Sequence, residues 1–240
     1  MIVTRQGDSL RLVTQPDHAR LAAGVLALWR SDGLPHHPRR HHLLAAIREH
    51  DNGWREADAA PRLDPSGRPV DFREVDDALR REVWLRAVAR FAEDRPYVAL
   101  LTAEHALGLH RDRRGRSDWV ETLAELDARR AELLARIGLG EDELRADYGW
   151  LFLADAVSLA LCGALAGVDQ GRWRGRVRAQ SLELEPFPLA GATTFQVPCR
   201  SIPDRRYHGE ADLAADLAAA VWTDLPVRLT PGDRPGPSGP

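Results

Sequence analysis

The stretch Leu43-Leu44-Ala45-Ala46-Ile47-Arg48-Glu49-His50-Asp51-Asn52-Gly53-Trp54 ends a helical pattern on two residues that can bind a metal. Leu43, Leu44 and Ile47 form an apolar stripe at helical spacing. His50 and Asp51 lie three and four residues beyond Ile47 and prolong that stripe toward the core. A neutral imidazole beside a carboxylate is costly to bury unless something pairs with both. A divalent metal suits both, so the chain is read next for further ligands.

Three other positions qualify. His18 is followed by Leu21, Ala22 and Val25, so it faces inward at the start of a helix. His105 falls between Leu101 and Leu109 on one apolar face, whereas His110, roughly 140° around the same helix, is a poorer candidate for the same site. Asp155 lies on a stripe with Leu151, Leu159 and Cys162, where an aspartate is rarely left unpaired. The candidate metal ligands are therefore His18, His50, Asp51, His105 and Asp155. An imidazole and carboxylate set without thiolate suits Fe, Mn, Zn or Mg, as one ion or as two bridged by Asp51. Trp54 and Tyr148 are the candidate substrate-binding residues: Trp54 ends the motif, and Tyr148 precedes Asp155 by seven residues on the same helical face. His36, His37, His41 and His42 read as a surface patch or substrate loop. With the irregular stretch 52–71 they are expected to roof the pocket.

These residues need helices to position them. The spacing predicts helices over about 18–30, 38–51, 72–93, 97–110, 117–137 and 141–166, separated by Gly33, Pro35, Pro96, Gly138 and Gly140. Residues 2–5 and 10–15 alternate around Gly7-Asp8-Ser9 as a hairpin, and 181–185, 193–197 and 227–230 alternate as strands around a helix near 211–222. Arg172, Arg174, Arg176 and Arg178 alternate as a basic strand edge that would discourage aggregation. The expected architecture is mainly α: a helical bundle over about 16–166 with a small antiparallel sheet built from the hairpin and the segment of about 177–230. Residues 1–230 form a single domain and 231–240 a disordered tail.

At 240 residues, 44% hydrophobic and 29% charged, the chain can bury a sizeable core. A net charge of -3 carries no polyanion-binding signature, so no nucleic-acid partner is expected. All 33 basic residues are arginine, which excludes a lysine Schiff base and a P-loop lysine. Two cysteines make neither a disulfide framework nor a thiolate zinc cage. The N-terminus does not read as a signal peptide and no run reaches transmembrane length, so a cytoplasmic protein with no membrane partner is expected. The partner expected is a small-molecule substrate. Oligomeric state is left open, a homodimer among the options.

An isolated His, a His-Asp pair and a late Asp resemble the pattern of the HD-domain superfamily of helical metalloproteins. Gln15-Pro16-Asp17-His18-Ala19, His50-Asp51-Asn52-Gly53-Trp54, Leu63-Asp64 with Phe72, Leu100–His105 and Tyr148–Leu159 together resemble the uncharacterised bacterial family DUF3891. The resemblance covers most of 1–165 and, more loosely, the C-terminal strand-helix-strand. It implies an HD-like helical fold with His18, His50, Asp51 and Asp155 as ligands, and places His105 where two-metal members carry an additional histidine. The Gly-Tyr-Pro signature of cyclic-dinucleotide phosphodiesterases is absent. The expected function is a metal-dependent hydrolase of phosphohydrolase type acting on a small anionic metabolite, with Asp51 and His105 as catalytic residues. A di-iron oxygenase and a non-enzymatic metal or ligand sensor are the alternatives.

Overall fold

The chain opens with the expected hairpin, β1 (Ile2–Gln6) and β2 (Ser9–Val13), paired antiparallel across Gly7, whose φ of 59° favours glycine. The computed structural model describes residues 1–179 and 181–232. Thr14 caps α1 (Gln15–Ala27): its hydroxyl accepts from the Asp17 N–H at 3.1 Å, and Pro16 sits in the first turn, where no intrahelical donor is needed. α2 (Arg40–Glu49) runs into the His-Asp pair, and a 3-10 turn, Asn52–Trp54, leads into the short α3 (Arg55–Ala59).

α4 (Asp77–Phe91) starts later than residue 72 because Asp76 supplies its cap, accepting from Leu79 N–H at 2.7 Å. Asp71 is engaged elsewhere, with Val3 N–H at 2.9 Å and Arg73 N–H at 3.0 Å. α5 (Pro96–Leu109), α6 (Val120–Ile137) and α7 (Glu141–Leu161) follow. α7 ends before 166 because Gly163 takes the left-handed conformation at φ 84°. The rest is β3 (Gly167–Gln170), β4 (Trp173–Arg178), β5 (Ser181–Glu185), β6 (Thr193–Pro203), α8 (Glu210–Ala219) and β7 (Thr223–Pro231).

The expectation of a mainly helical bundle with a small antiparallel sheet is wrong. The molecule is 50% helix and 20% strand, and all seven strands of the described residues join one mixed sheet curved into a half-barrel. Its order is β1-β2-β6-β7-β5-β4-β3, antiparallel except for the β5–β7 pair, which is parallel. β6 is longer than its alternating core suggested: its first half pairs with β7 and its end with β2, so one strand ties the hairpin to the rest. β3 left almost no sequence signal, since Gly167-Val168-Asp169-Gln170 buries only Val168. β4 lies between β3 and β5 and is not an edge; Arg174, Arg176 and Arg178 point from its exposed face. Of the tail expected over 231–240, Pro231 belongs to β7, and the part beyond Gly232 lies outside the described residues.

One sheet face carries Leu182, Leu184, Val197, Val227 and Leu229 into the main core, where α7 lies against β3, β5 and β7 and α1 against β6. α5 touches α2, α4, α6 and α7 and is buried on nearly every side, which explains its run of apolar residues without a polar face. No helix among the described residues is long and apolar enough to cross a membrane.

The turn after Asp51 is fastened to α4. Asn52 Nδ2 donates to Glu49 O at 2.8 Å and Ala87 O at 3.3 Å, Arg86 donates to Gly53 O at 2.9 Å, and Arg90 donates to Asn52 O. Gly53 lies so close to α4 that a Cβ would stand 2.1 Å from Val83 O and 2.8 Å from Ala87 Cβ. Gly53→Ala should push the turn off α4 and lower stability by about 3 kcal/mol, read as a fall in the denaturant midpoint; an unchanged midpoint would show that the turn is not held by this contact.

Candidate metal centre

Four helices deliver the five predicted ligands to one place. His18 comes from the first turn of α1, His50 and Asp51 from the end of α2, His105 from α5 and Asp155 from α7. All five are buried, the carboxylates included, at 6% exposure for Asp51 and 7% for Asp155. The His18 and His50 rings meet edge-on at 5.3 Å between centroids, and His50 meets His105 in the same way at 5.2 Å. Ligand atoms of His18, His50 and Asp51 lie within 4.8 Å of one another, as do those of His50, His105 and Asp155.

The outward nitrogens fix which atoms face inward. His50 Nδ1 lies 2.7 Å from Ile47 O, an oxygen that can only accept, so Nδ1 carries the proton. Ser158 Oγ donates to Asp155 O at 2.9 Å and so accepts from His18 Nδ1, also at 2.9 Å. With the proton on Nδ1, a neutral form of either ring would turn a bare Nε2 toward carboxylates. His18 Nε2 lies 2.7 Å from Asp51 Oδ2; His50 Nε2 lies 3.6 Å from Asp51 Oδ2 and 3.4 Å from Asp155 Oδ1, without a hydrogen-bond partner. Acceptors facing acceptors in a buried site require a cation or protons between them.

The electrostatics of the protein without a cation say the same. Burial disfavours a charged His50, but Asp51 and Asp155 outweigh it and push its pKa up to about 9. Burial would likewise raise Asp51 and Asp155, yet the imidazoles, His50 foremost, hold both below the usual carboxylate range. His105 goes the other way: burial takes it down to about 4 despite Asp155, whose Oδ2 is 3.8 Å from its Nε2. A proton on His50 occupies the role a metal would take, and the donor set of imidazole nitrogens and carboxylate oxygens fits a divalent ion.

The family model described as "Protein of unknown function (DUF3891)" matches residues 1–204. The chain belongs to the DUF3891 family. No curated protein and no solved structure matches it. Residues 205–232 of this DUF3891 chain, beyond the match, supply α8 and β7.

Asp51, His105 and Asp155 open onto a cavity of about 100 Å³. Trp54 and Phe72 wall it, packed edge-on at 6.4 Å, as the motif and the 52–71 stretch suggested for Trp54. Tyr148 is not on the wall; its ring stands 6.0 Å from His105, and its hydroxyl fills the space where Gly108 lacks a side chain. The histidines 36–42 do not roof the cavity either. His37 Nε2 is 2.9 Å from Asp147 Oδ1, in a buried knot where Tyr97 and Arg39 donate to Asp147 Oδ2 at 2.6 and 2.7 Å. Asp147 precedes Asp155 by eight residues on α7, about 12 Å along the axis. Sequence reasoning missed Arg80, Trp84 and the place of His110, all of which line the cavity. The available signal was an arginine and a tryptophan four residues apart on the inner face of a helix.

His50, with a folded pKa above its free value of 6.5, adds stability that is full below pH 6.5 and lost as the pH rises through about 9. His105, lowered to about 4, adds stability present above pH 6.5 and lost as the pH falls through 4. The melting temperature of chelator-treated protein should therefore peak near pH 6.5, with the alkaline limb worth about 3 kcal/mol. That limb should vanish on His50→Gln or on adding a divalent cation; if it survives both, His50 is not the group responsible.

Proposed function

We propose that this DUF3891 protein is a metal-dependent hydrolase of phosphohydrolase type that acts on a small anionic metabolite. The observation that carries the reading is the pair of Nε2 atoms, on His18 and His50, held facing two buried carboxylates by hydrogen bonds at the Nδ1 of each ring. Such outer bonds are the arrangement that orients metal-ligating histidines. His18, His50, Asp51 and Asp155 would hold the ion.

One ion fits better than two. His50 belongs to both groups of ligand atoms, but with Nδ1 committed to Ile47 O it has a single lone pair to give. This favours a mononuclear hydrolytic site over the di-iron alternative. A divalent ion supplies Lewis acidity and an acidified water near neutral pH. His105 is the proton acceptor: burial keeps it neutral, it stands beside Asp155, and its Nδ1 has no partner among the described residues. Asp51, 2.7 Å from the His18 Nε2, would contribute the charge that holds the cation. Trp54, Phe72 and Trp84 line the cavity and leave little room for water beside these charges, which strengthens each of them.

Metal analysis of the purified protein should find one divalent ion per chain, and Asp51→Asn or Asp155→Asn should lower it to under about a tenth. His105→Gln should keep the ion while cutting hydrolysis of small phosphate esters by about 10²–10⁴-fold. Two ions per chain, dropping to one in His105→Ala, would overturn the mononuclear reading in favour of a dinuclear centre. Full metal content in Asp51→Asn would remove the site itself.

A further inference from the structure

Beyond the ligands, the cavity wall holds polar nitrogens that nothing in the fold satisfies. Arg80 Nε, Trp84 Nε1 and His110 Nε2 are buried and have no hydrogen-bond partner among the described residues. All three residues line the same cavity of about 100 Å³ as Asp51, His105 and Asp155. Trp84 is 3% exposed and His110 4%. An indole and a guanidinium can only donate, so two of the three nitrogens call for an acceptor.

Each is held in place by other contacts. Arg80 Nη2 donates to Arg73 O and Val75 O, both at 3.0 Å, which anchors the guanidinium at its far end and leaves Nε free. The nearest carboxylate, Asp77, stands 3.9 Å from that Nε and is already paired with Arg113 and Arg116. The His110 ring lies over Trp119 at 4.4 Å between centroids. Burial, with the charges of Arg113 and Arg80, keeps it neutral, so its Nε2 can carry a proton and donate. The Trp84 ring stands 5.7 Å from the His105 ring and 6.1 Å from the His110 ring.

We infer that Arg80, Trp84 and His110 form an oxyanion-binding pole of this cavity, and that the ligand is a compact molecule whose phosphoryl or carboxylate group sits there. The inference rests on the reading of the His/Asp cluster as a cation site, because it takes the cavity as the space the substrate occupies beside that cation. Pole and cluster complement each other: nitrogen donors at one end, acceptors and a cation at the other, with aromatic walls between. The volume suits a single oxyanion group with a short attachment, since pockets for larger organic ligands run to ~300–1,000 Å³.

The test is calorimetric titration of the full chain, manganese-loaded and chelator-treated, with inorganic phosphate and with acetate as probes. The wild type should bind at least one of them saturably, and the tighter of the two shows which group the pole was built for. Trp84→Phe, which keeps the ring and removes only the N–H, and His110→Phe should each weaken that binding about tenfold, with manganese content unchanged. Arg80→Gln should weaken it further; should that variant fail to fold, the other two decide. No saturable binding in either form, or binding the variants leave unaltered, would overturn the pole and assign its nitrogens to ordered water. Manganese retained without anion binding would remove the pole and leave the cation site. Anion binding that depends on Trp84 in a protein that takes up no manganese would do the reverse.

Discussion

Asp51 and Asp155 are carboxylates placed where a packed core ordinarily holds leucine, and the side chains around them answer that placement. Two imidazoles point lone pairs at them, and a serine and a main-chain carbonyl behind the rings prevent either from turning its proton inward. Without a cation, the cheapest remedy is to protonate His50, and its raised pKa is that remedy expressed as a number. In the absence of a cation a proton on His50 balances the two carboxylates, and a cation held there, as we propose, would displace it.

The scaffold keeps this arrangement rigid. α5 is surrounded by α2, α4, α6 and α7, so His105 cannot move without disturbing several packed faces. Asp51 lies at the one point where the chain leaves α2, and there Asn52, Arg86 and Arg90 tie the backbone to α4. Gly53 is required by contact and not by conformation: the turn approaches Val83 O too closely for any side chain. The small residue after His50-Asp51-Asn52 is thus what allows α4 to reinforce the site from behind.

The five candidate ligands could be brought together from the sequence because each sits on an apolar stripe whose period identifies the inward face, as His18 does with Leu21 and Val25 and Asp155 with Leu151 and Leu159. Trp54 was singled out because it ends the motif, and it lines the cavity. The sheet was not. β3 and β4 run Gly167-Val168-Asp169-Gln170-Gly171-Arg172-Trp173-Arg174-Gly175-Arg176, where glycine and arginine replace the β-branched residues that mark a strand. β6 contains Pro198 and ends at Pro203, which conceals its length. Pairing across the chain decides these strands, and no local pattern reports it. Arg80 and His110 escaped because their role depends on what they lack, a hydrogen-bond partner, which only the packed molecule reveals. Tyr148 and His37 were misplaced for the opposite reason: the type of side chain was right for a site, but the one packs against Gly108 and the other pairs with Asp147.

The position of β7 in the sheet bears on how the chain is made. It is the last strand of the described residues, yet it lies at the centre, between β6 and β5. Until it arrives, the sheet exists as two separate three-stranded pieces, β1-β2-β6 and β5-β4-β3, with the apolar faces of Val197 and Leu182 unjoined. The helices that carry His18, His50, Asp51, His105 and Asp155 all precede β7 in the chain, whereas closure of the sheet waits for residues 223–231 to leave the exit tunnel.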